Sequence, residues 1–183
     1  MELIKQNTQS KFVKTFLIIL LGSIALTISA KIKIPFYPVP MTMQTFVVLF
    51  FGLAFGYKIG LSIVGLYLIE GILGLPVFSN SPERGVGLIY FTGPTMGYLI
   101  GFLFAVFLSG YLDLKKNIFI IFFKLLLSVS VIYILGLIWL GILIGWDKPI
   151  LELGAIPFLP AELLKILILT LLTKKIIKLR SFI

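Results

Sequence analysis

IFIIFFKLLLSVSVIYILGLIWLGIL, residues Ile118 to Leu143, holds a single charge, Lys124, in a run longer than the about 20 apolar residues a helix needs to cross a bilayer. The run is apolar on every face, which a helix at the surface of a soluble domain is not. It predicts a transmembrane helix, and the rest of the chain repeats the pattern. Thr15 to Ala30 is uncharged and rich in Leu and Ile, and Ile34 to Tyr57 is a second uncharged stretch. A third span is expected from about Ile59 to Leu75, a fourth within the charge-free Gly85 to Leu112, and a last from near Pro160 to Thr173. With Ile118–Leu143 as the fifth, the expected fold is all-α: a polytopic membrane protein built as a six-transmembrane-helix bundle.

Composition agrees. The 183 residues are 60% apolar and 13% charged, with a mean hydropathy of +1.16, whereas an ordinary soluble domain is about 45–50% apolar and about 25% charged. One domain over residues 1–183 fills the length, with 1–14 as an N-terminal segment and 174–183 as a basic tail. The outline of Lys5, Lys11 and Lys14 before an apolar run ending in Ser29-Ala30 also fits a signal peptide. Ile28, three residues before a cut after Ala30, is larger than such sites take, so the segment reads as a retained helix.

Turn chemistry sets the boundaries. Pro35, Pro38 and Pro40 remove backbone donors and disfavour helix before each ring, so the second helix is expected to start near Met41. Gly56-Tyr57-Lys58-Ile59-Gly60 predicts a tight turn between the second and third spans, and Gly74-Leu75-Pro76 ends the third. Val77 to Gly87 and Gly145 to Pro160 read as polar connections.

A net charge of +9 in a soluble chain would suggest nucleic acid; here the cations sit between apolar segments and report topology. With a cytoplasmic N-terminus, six spans place ten Lys and Arg inside: Lys5, Lys11, Lys14, Lys58, Lys115, Lys116, Lys174, Lys175, Lys178 and Arg180. Four fall outside: Lys31, Lys33, Arg84 and Lys148. The imbalance predicts a multi-pass protein of the cell membrane with both termini cytoplasmic. Cys and His are absent, which removes disulfides, thiol nucleophiles, most zinc sites and histidine-based triads. No Gly-Lys pair exists to build a phosphate-binding loop, and GxSxG and HExxH are missing. The chain is expected to be no enzyme, with no metal and no cofactor, and any energy for transport must come from a partner or a coupled ion.

Ionisable residues inside the spans are the candidates for function, because charge there is costly. Glu162 and Lys165 share one helix face just after Pro160, near the positive end of the helix dipole. They fit a polar grip on a small ligand, and they also fit a capping Glu with a local ion pair. Glu70 and Lys124 admit snorkelling, an interhelical pair or ligand contact. Asn80 and Arg84, in the longest polar loop, suit an amide-like group and a carboxylate respectively, or a solvated turn. Gln44, Tyr98 and Trp139 suit packing or contact. Gly22, Ala25 and Ser29 form a stripe of small side chains that lets another helix approach, within the bundle or from a partner subunit.

Five strings in order carry a resemblance: Pro38-Val39-Pro40-Met41-Thr42-Met43-Gln44-Thr45, Gly71-Ile72-Leu73-Gly74-Leu75-Pro76-Val77-Phe78, Thr92-Gly93-Pro94-Thr95-Met96-Gly97-Tyr98, Tyr133-Ile134-Leu135-Gly136-Leu137-Ile138-Trp139-Leu140, and Gly154-Ala155-Ile156-Pro157-Phe158-Leu159-Pro160 running on to Leu164-Lys165. Together they resemble the BioY family, the biotin-transport S components of energy-coupling-factor (ECF) transporters. The resemblance implies a six-helix protein that binds biotin at its outer side and docks on a transmembrane coupling protein carrying two ATPase subunits. It implies ligand contact at Glu162, where the family usually has Asp, at Lys165, at Asn80 and at Tyr98. Pro160-Ala161 stands where the family commonly has Pro-Gly. The resemblance also implies that the Gly22, Ala25 and Ser29 face meets the coupling protein. Gln44 lies within the first string, and Arg84 is the candidate for the biotin carboxylate on chemistry alone. Residues 31–40 are the expected gate. An S component for another vitamin, a ligand-free structural membrane protein and an ion-driven transporter are the other readings the residues admit.

Overall fold

The computed structural model describes residues 2–111 and 117–182, with the side chains of 11–111 and 117–180. Lys115 and Lys116, used above in the charge count, lie outside the described residues. Helix α1 (Glu2–Lys31) runs through the N-terminal segment and the first span without a break. Helix α2 (Gln44–Ile72) is a single hydrogen-bonded element of 29 residues, yet Gly56 inside it has φ 77° and ψ 171°. Such a backbone turns the chain back on itself. A Cβ at Gly60 would stand 3.6 Å from the Gly52 Cα, and the Gln44 side chain reaches the Tyr67 hydroxyl at 2.8 Å. In a straight helix those last two residues would be about 34 Å apart. The turn expected at Gly56 to Gly60 is therefore present, and α2 supplies two limbs.

Helix α3 (Met96–Gly110), α4 (Ile118–Ile144), the short α5 (Ile150–Gly154) and α6 (Leu159–Ile176) complete the set. Lys11–Lys31, Gln44–Ile72, Ile118–Ile144 and Ile150–Arg180 are each long and apolar enough to cross a bilayer, and Met96–Gly110 is a shorter apolar helix. With α2 counted as two, six long limbs form the bundle among the described residues. The two limbs of α2 lie at its centre, in contact with α1, α3 and α6, while α4 closes the ring against α3 and α6.

Boundaries moved where backbone chemistry intervened. The second helix starts at Gln44 rather than Met41, because Met41–Thr42 pairs antiparallel with Lys33–Ile34 in a two-stranded ladder, β1 (Lys33–Ile34) and β2 (Met41–Thr42). The third limb stops at Ile72 because Gly74 takes φ 96°, letting Gly74 N–H bond the Gly71 carbonyl and Leu75 N–H the Glu70 carbonyl. That is a glycine-terminated helix end, in which otherwise orphaned carbonyls are satisfied. The Asn117 side chain accepts from the Phe119 N–H at 3.3 Å and so caps α4. The connection expected between Gly145 and Pro160 contains α5, and α6 continues to Ile176.

Small residues set the helix spacing. A Cβ at Gly97 would meet the Leu135 carbonyl at 2.4 Å, and one at Gly101 the Ile132 Cα at 2.7 Å, so α3 and α4 touch along their backbones. The stripe on α1 is taken up in the same way. Gly22 is buried against Ile63, which a Cβ there would meet at 2.8 Å, and buried Ser29 returns its hydroxyl to the Leu26 carbonyl. Gly22 and Ser29 are buried and Ala25 is partly buried, and the second limb of α2 meets the stripe at Gly22. The exterior is aliphatic and aromatic: Phe12, Phe16, Ile24, Phe123, Leu127, Ile134 and Leu171 are exposed, as lipid contact requires. Ser23 donates to Glu70, an interhelical bond, and Lys124 is half-buried near the start of α4.

Candidate functional site

One end of the bundle holds the strap of residues 33–42, the loop over 77–95 with its turn at Gly87–Thr92, and the α5 connection. Beneath them lies a small, covered cavity of about 50 Å³. Leu99, Phe102 and Ile132 form its apolar floor, and Tyr90, Tyr98, Tyr133 and Phe158 its aromatic walls. Val39, Pro40, Met41 and Thr42 of the strap cover it. Polar groups enter at Gln44, Thr45, Ser79 and Glu162.

Pro160 in the first turn of α6 fixes the helix start, so that Glu162 and Lys165 project from the first turns toward α2. The pair is deeply buried, with side chains 5% and 8% exposed and Lys165 Nζ 2.8 Å from Glu162 Oε1. Thr45 donates its hydroxyl to the same oxygen at 2.9 Å. Lys165 also donates to the Thr42 carbonyl at 2.7 Å and to Thr45 Oγ1 at 3.0 Å, so its three donors meet acceptors of the chain itself. Its ammonium stands behind Glu162, off the cavity lining. Glu162 Oε2 is the contrast: it is buried with no hydrogen-bond partner among the described residues, in a side chain that lines the cavity close to the Tyr133 hydroxyl. Leaving such an oxygen unsatisfied costs about 1–3 kcal/mol or more, which a donor group in the cavity would recover.

Gln44 and Tyr98 also line the cavity, each already oriented. Gln44 Nε2 donates to the Tyr67 hydroxyl, and the Tyr98 hydroxyl donates to the Gly154 carbonyl at 2.8 Å. The Tyr98 ring lies against Gly136, where a Cβ would come within 2.4 Å of it. Trp139 stays outside the lining and anchors the loop by donating to the Gly93 carbonyl at 2.8 Å.

Asn80 and Arg84 sit at the rim and fasten the strap. Lys33 Nζ donates to Asn80 Oδ1 and to the Ser79 carbonyl, both at 2.8 Å, and Lys31 Nζ donates to the Phe78 and Ser81 carbonyls at 2.7 and 2.8 Å. From the opposite side Arg84 Nη1 donates to the Pro38 carbonyl at 2.7 Å, with its guanidinium 5.6 Å from the centre of the Tyr37 ring. The expected gate over residues 31–40 is thus a cover clasped by three cations. The structure brings Gln44, Tyr98, Glu162 and Lys165 together and leaves Asn80 and Arg84 outside the lining. Sequence reasoning missed Thr45, Tyr90, Tyr133 and Phe158 as lining residues. Thr45, Tyr133 and Phe158 stood inside the quoted strings without a spacing that marked them, and Tyr90 is brought in by the loop over 77–95.

The sequence model of the BioY family matches residues 4–182. The chain belongs to the BioY family. Among relatives, the probable biotin transporter BioY of Pyrococcus horikoshii is 36% identical over 143 residues, covering 78% of this chain and 83% of that protein. The biotin transporter BioY of Thermotoga maritima is 34% identical over 155 residues, covering 84% and 90%. The crystal structure of the S-component for biotin from an ECF-type ABC transporter superposes with a TM-score of 0.77 at 28% identity, over 92% of this chain and 93% of that one. This BioY-family chain is therefore a membrane transport protein with the S-component fold, and the cavity lies at the end of the bundle covered by its longest loops.

Proposed function

We propose that this chain is the substrate-capture subunit for biotin in an ATP-driven vitamin uptake transporter, binding biotin at the outer side of the cell membrane. The single observation that carries the reading is Glu162 Oε2, a buried acceptor without a partner among the described residues, in a side chain that lines a mostly aromatic and aliphatic cavity. Biotin has a ureido group with two N–H donors, an apolar fused ring and an aliphatic chain, and the cavity supplies an acceptor and apolar walls in that order. Glu162 accepts from the ureido N–H, Lys165 holds its charge in place, and Gln44 and Tyr98 flank the ring. Asn80 and Arg84, at the rim, are nearest to a carboxylate that points outward. Names of the relatives support the vitamin assignment.

The finer reading of partners rests on the same grounds. A protein without a phosphate-binding loop needs ATPase subunits, here reached through a transmembrane coupling protein, and the excess of cations on one side favours cytoplasmic termini. Labelled biotin added to the detergent-purified chain, with unlabelled biotin, riboflavin and thiamine as competitors, tests the proposal. Saturable binding displaced by biotin alone is expected. Displacement by another vitamin would reassign the substrate, and absence of binding to folded protein would refute capture.

A further inference from the structure

At the end of the bundle opposite the cavity, the Gly56 turn, the end of α3 and the last residues of the chain enclose a second hollow. It is an open groove of about 530 Å³, lined by Phe55 to Ile59, Gly110, Tyr111 and Arg180. The first limb of α2 and α3 end here with their carbonyls, which makes those two helix ends electronegative. Arg180 reverses the sign. Its Nε donates to the Leu53 carbonyl at 3.0 Å, and Nη2 donates to the Gly52 and Gly110 carbonyls at 3.2 Å each, while Nη1 takes no part in these bonds. The guanidinium lies against the turn, with Cζ 4.0 Å from where a Gly56 Cβ would stand, and the φ of 77° there favours glycine.

Lys58 projects from the same turn, exposed, and its Nζ has no partner among the described residues. Both charges in the groove are thus cations. Lys174 and Lys175 end α6 at the same end of the bundle, and Lys11 and Lys14 lie on the first half of α1. Every described carboxylate, Glu70, Glu83, Asp147, Glu152 and Glu162, lies in the other half of the bundle; Glu2 and Asp113 fall outside the described side chains. Beside the groove Tyr57, Phe107 and Tyr111 form an aromatic trio with ring centres 5.5 to 5.9 Å apart, and Tyr111 is 72% exposed. Tyrosines with an apolar body and a wet tip belong at the level of lipid headgroups.

We propose that this groove binds the headgroup of an anionic phospholipid, its phosphate accepting from Lys58 Nζ and Arg180 Nη1 between Tyr57 and Tyr111. A phospholipid is favoured over a soluble anion because the groove is walled by Phe55 and Ile59 as well as by charge, and adjoins the exposed rings of Phe107 and Tyr111. The acyl chains then continue along the exposed aliphatic exterior.

The test uses the full chain, delipidated in detergent and offered equal phosphatidylglycerol and phosphatidylcholine, with bound lipid counted by native mass spectrometry. Retention of phosphatidylglycerol over phosphatidylcholine is expected. Lys58→Gln should lower that preference about fivefold, the worth of one Lys near an anionic surface. Lys14→Gln, outside the groove, should leave it unchanged, and biotin binding should be unaltered in both variants. Equal retention of the two lipids, or an equal loss of preference in both variants, overturns the proposal in favour of a diffuse basic surface. Displacement of the phosphatidylglycerol by inorganic phosphate overturns it in favour of a soluble-anion site, and displacement by an acidic peptide in favour of a protein partner.

Discussion

Replacing Lys165 by Met removes the one charged partner that the structure gives Glu162. Both side chains are almost wholly buried, and the ammonium makes three hydrogen bonds, to Glu162 Oε1, Thr45 Oγ1 and the Thr42 carbonyl. Met matches the aliphatic stem but leaves a buried carboxylate with no charged partner, only the Thr45 hydroxyl and the nearby Tyr133. Breaking one half of a buried pair costs about 3–5 kcal/mol, which is a large part of the about 5–15 kcal/mol that holds a typical folded domain together. Removing both charges is a different perturbation. In Glu162→Gln/Lys165→Met nothing ionic stays buried, and replacing whole buried pairs by neutral groups of similar size is often close to neutral. The double variant should therefore recover most of the stability lost in Lys165→Met, a coupling of several kcal/mol. Unfolding in detergent by increasing denaturant, read by tryptophan fluorescence for the wild type, both single variants and the double, measures it. A double variant as unstable as the two single effects added together would refute the argument that the pair is one electrostatic unit. Biotin affinity should fall in all three variants. Where the carboxylate of Glu162 is exchanged for an amide, a donor can face the ureido donors, and the lost charged bond costs about 1.5–3 kcal/mol.

The cover of the cavity can be tested with a single thiol, because the sequence has no cysteine. In Val39→Cys, a membrane-impermeant maleimide should label slowly, faster once Arg84→Met frees the Pro38 carbonyl, and slower with biotin bound; equal rates in all three states would mean the strap is no cover. Gly136→Ala places a methyl within 2.4 Å of the Tyr98 ring and should push that ring into the cavity. Overpacking of this kind costs about 1–3 kcal/mol, here expected as a loss of biotin affinity of about tenfold or more in equilibrium binding. Arg180→Met deprives three carbonyls at the far end of their donor and should lower stability by about 1.5–3 kcal/mol in a thermal melt without changing biotin affinity; an unchanged melt would show that water serves those carbonyls as well.

The spans were legible because bilayer burial writes a strong signal: the helix expected over Ile118–Leu143 is found over Ile118–Ile144. The reversal at Gly56 was legible too, since glycines flanking Tyr57-Lys58 in an apolar run leave little else to expect. The pairing of Lys33–Ile34 with Met41–Thr42 was not. Two-residue strands carry no period, and this pair is held by cations that reach residues 46 to 50 positions away. Of the cavity, Glu162 stood out as a charge where charge is costly, and Gln44 as a polar side chain at a helix start. Thr45 bonds a residue 117 positions distant, a fact no local pattern contains. Tyr133 and Phe158 are ordinary aromatics in apolar surroundings until the fold turns them inward. Small residues at Gly22, Ala25 and Ser29 announced a close approach, and the sequence was silent on which helix would make it.

The clasp over the cavity carries a consequence for acidity. Its donors are Lys31, Lys33 and Arg84, and its acceptors are the backbone carbonyls of Pro38, Phe78, Ser79 and Ser81 together with the amide oxygen of Asn80. Peptide and amide oxygens do not gain or lose protons in the range in which cells live. A fastening of ammonium on carboxylate would slacken as the medium soured toward about pH 4, where Asp and Glu take up protons. This one places none of its hydrogen bonds on a carboxylate, so those bonds should keep their grip in an acidic habitat.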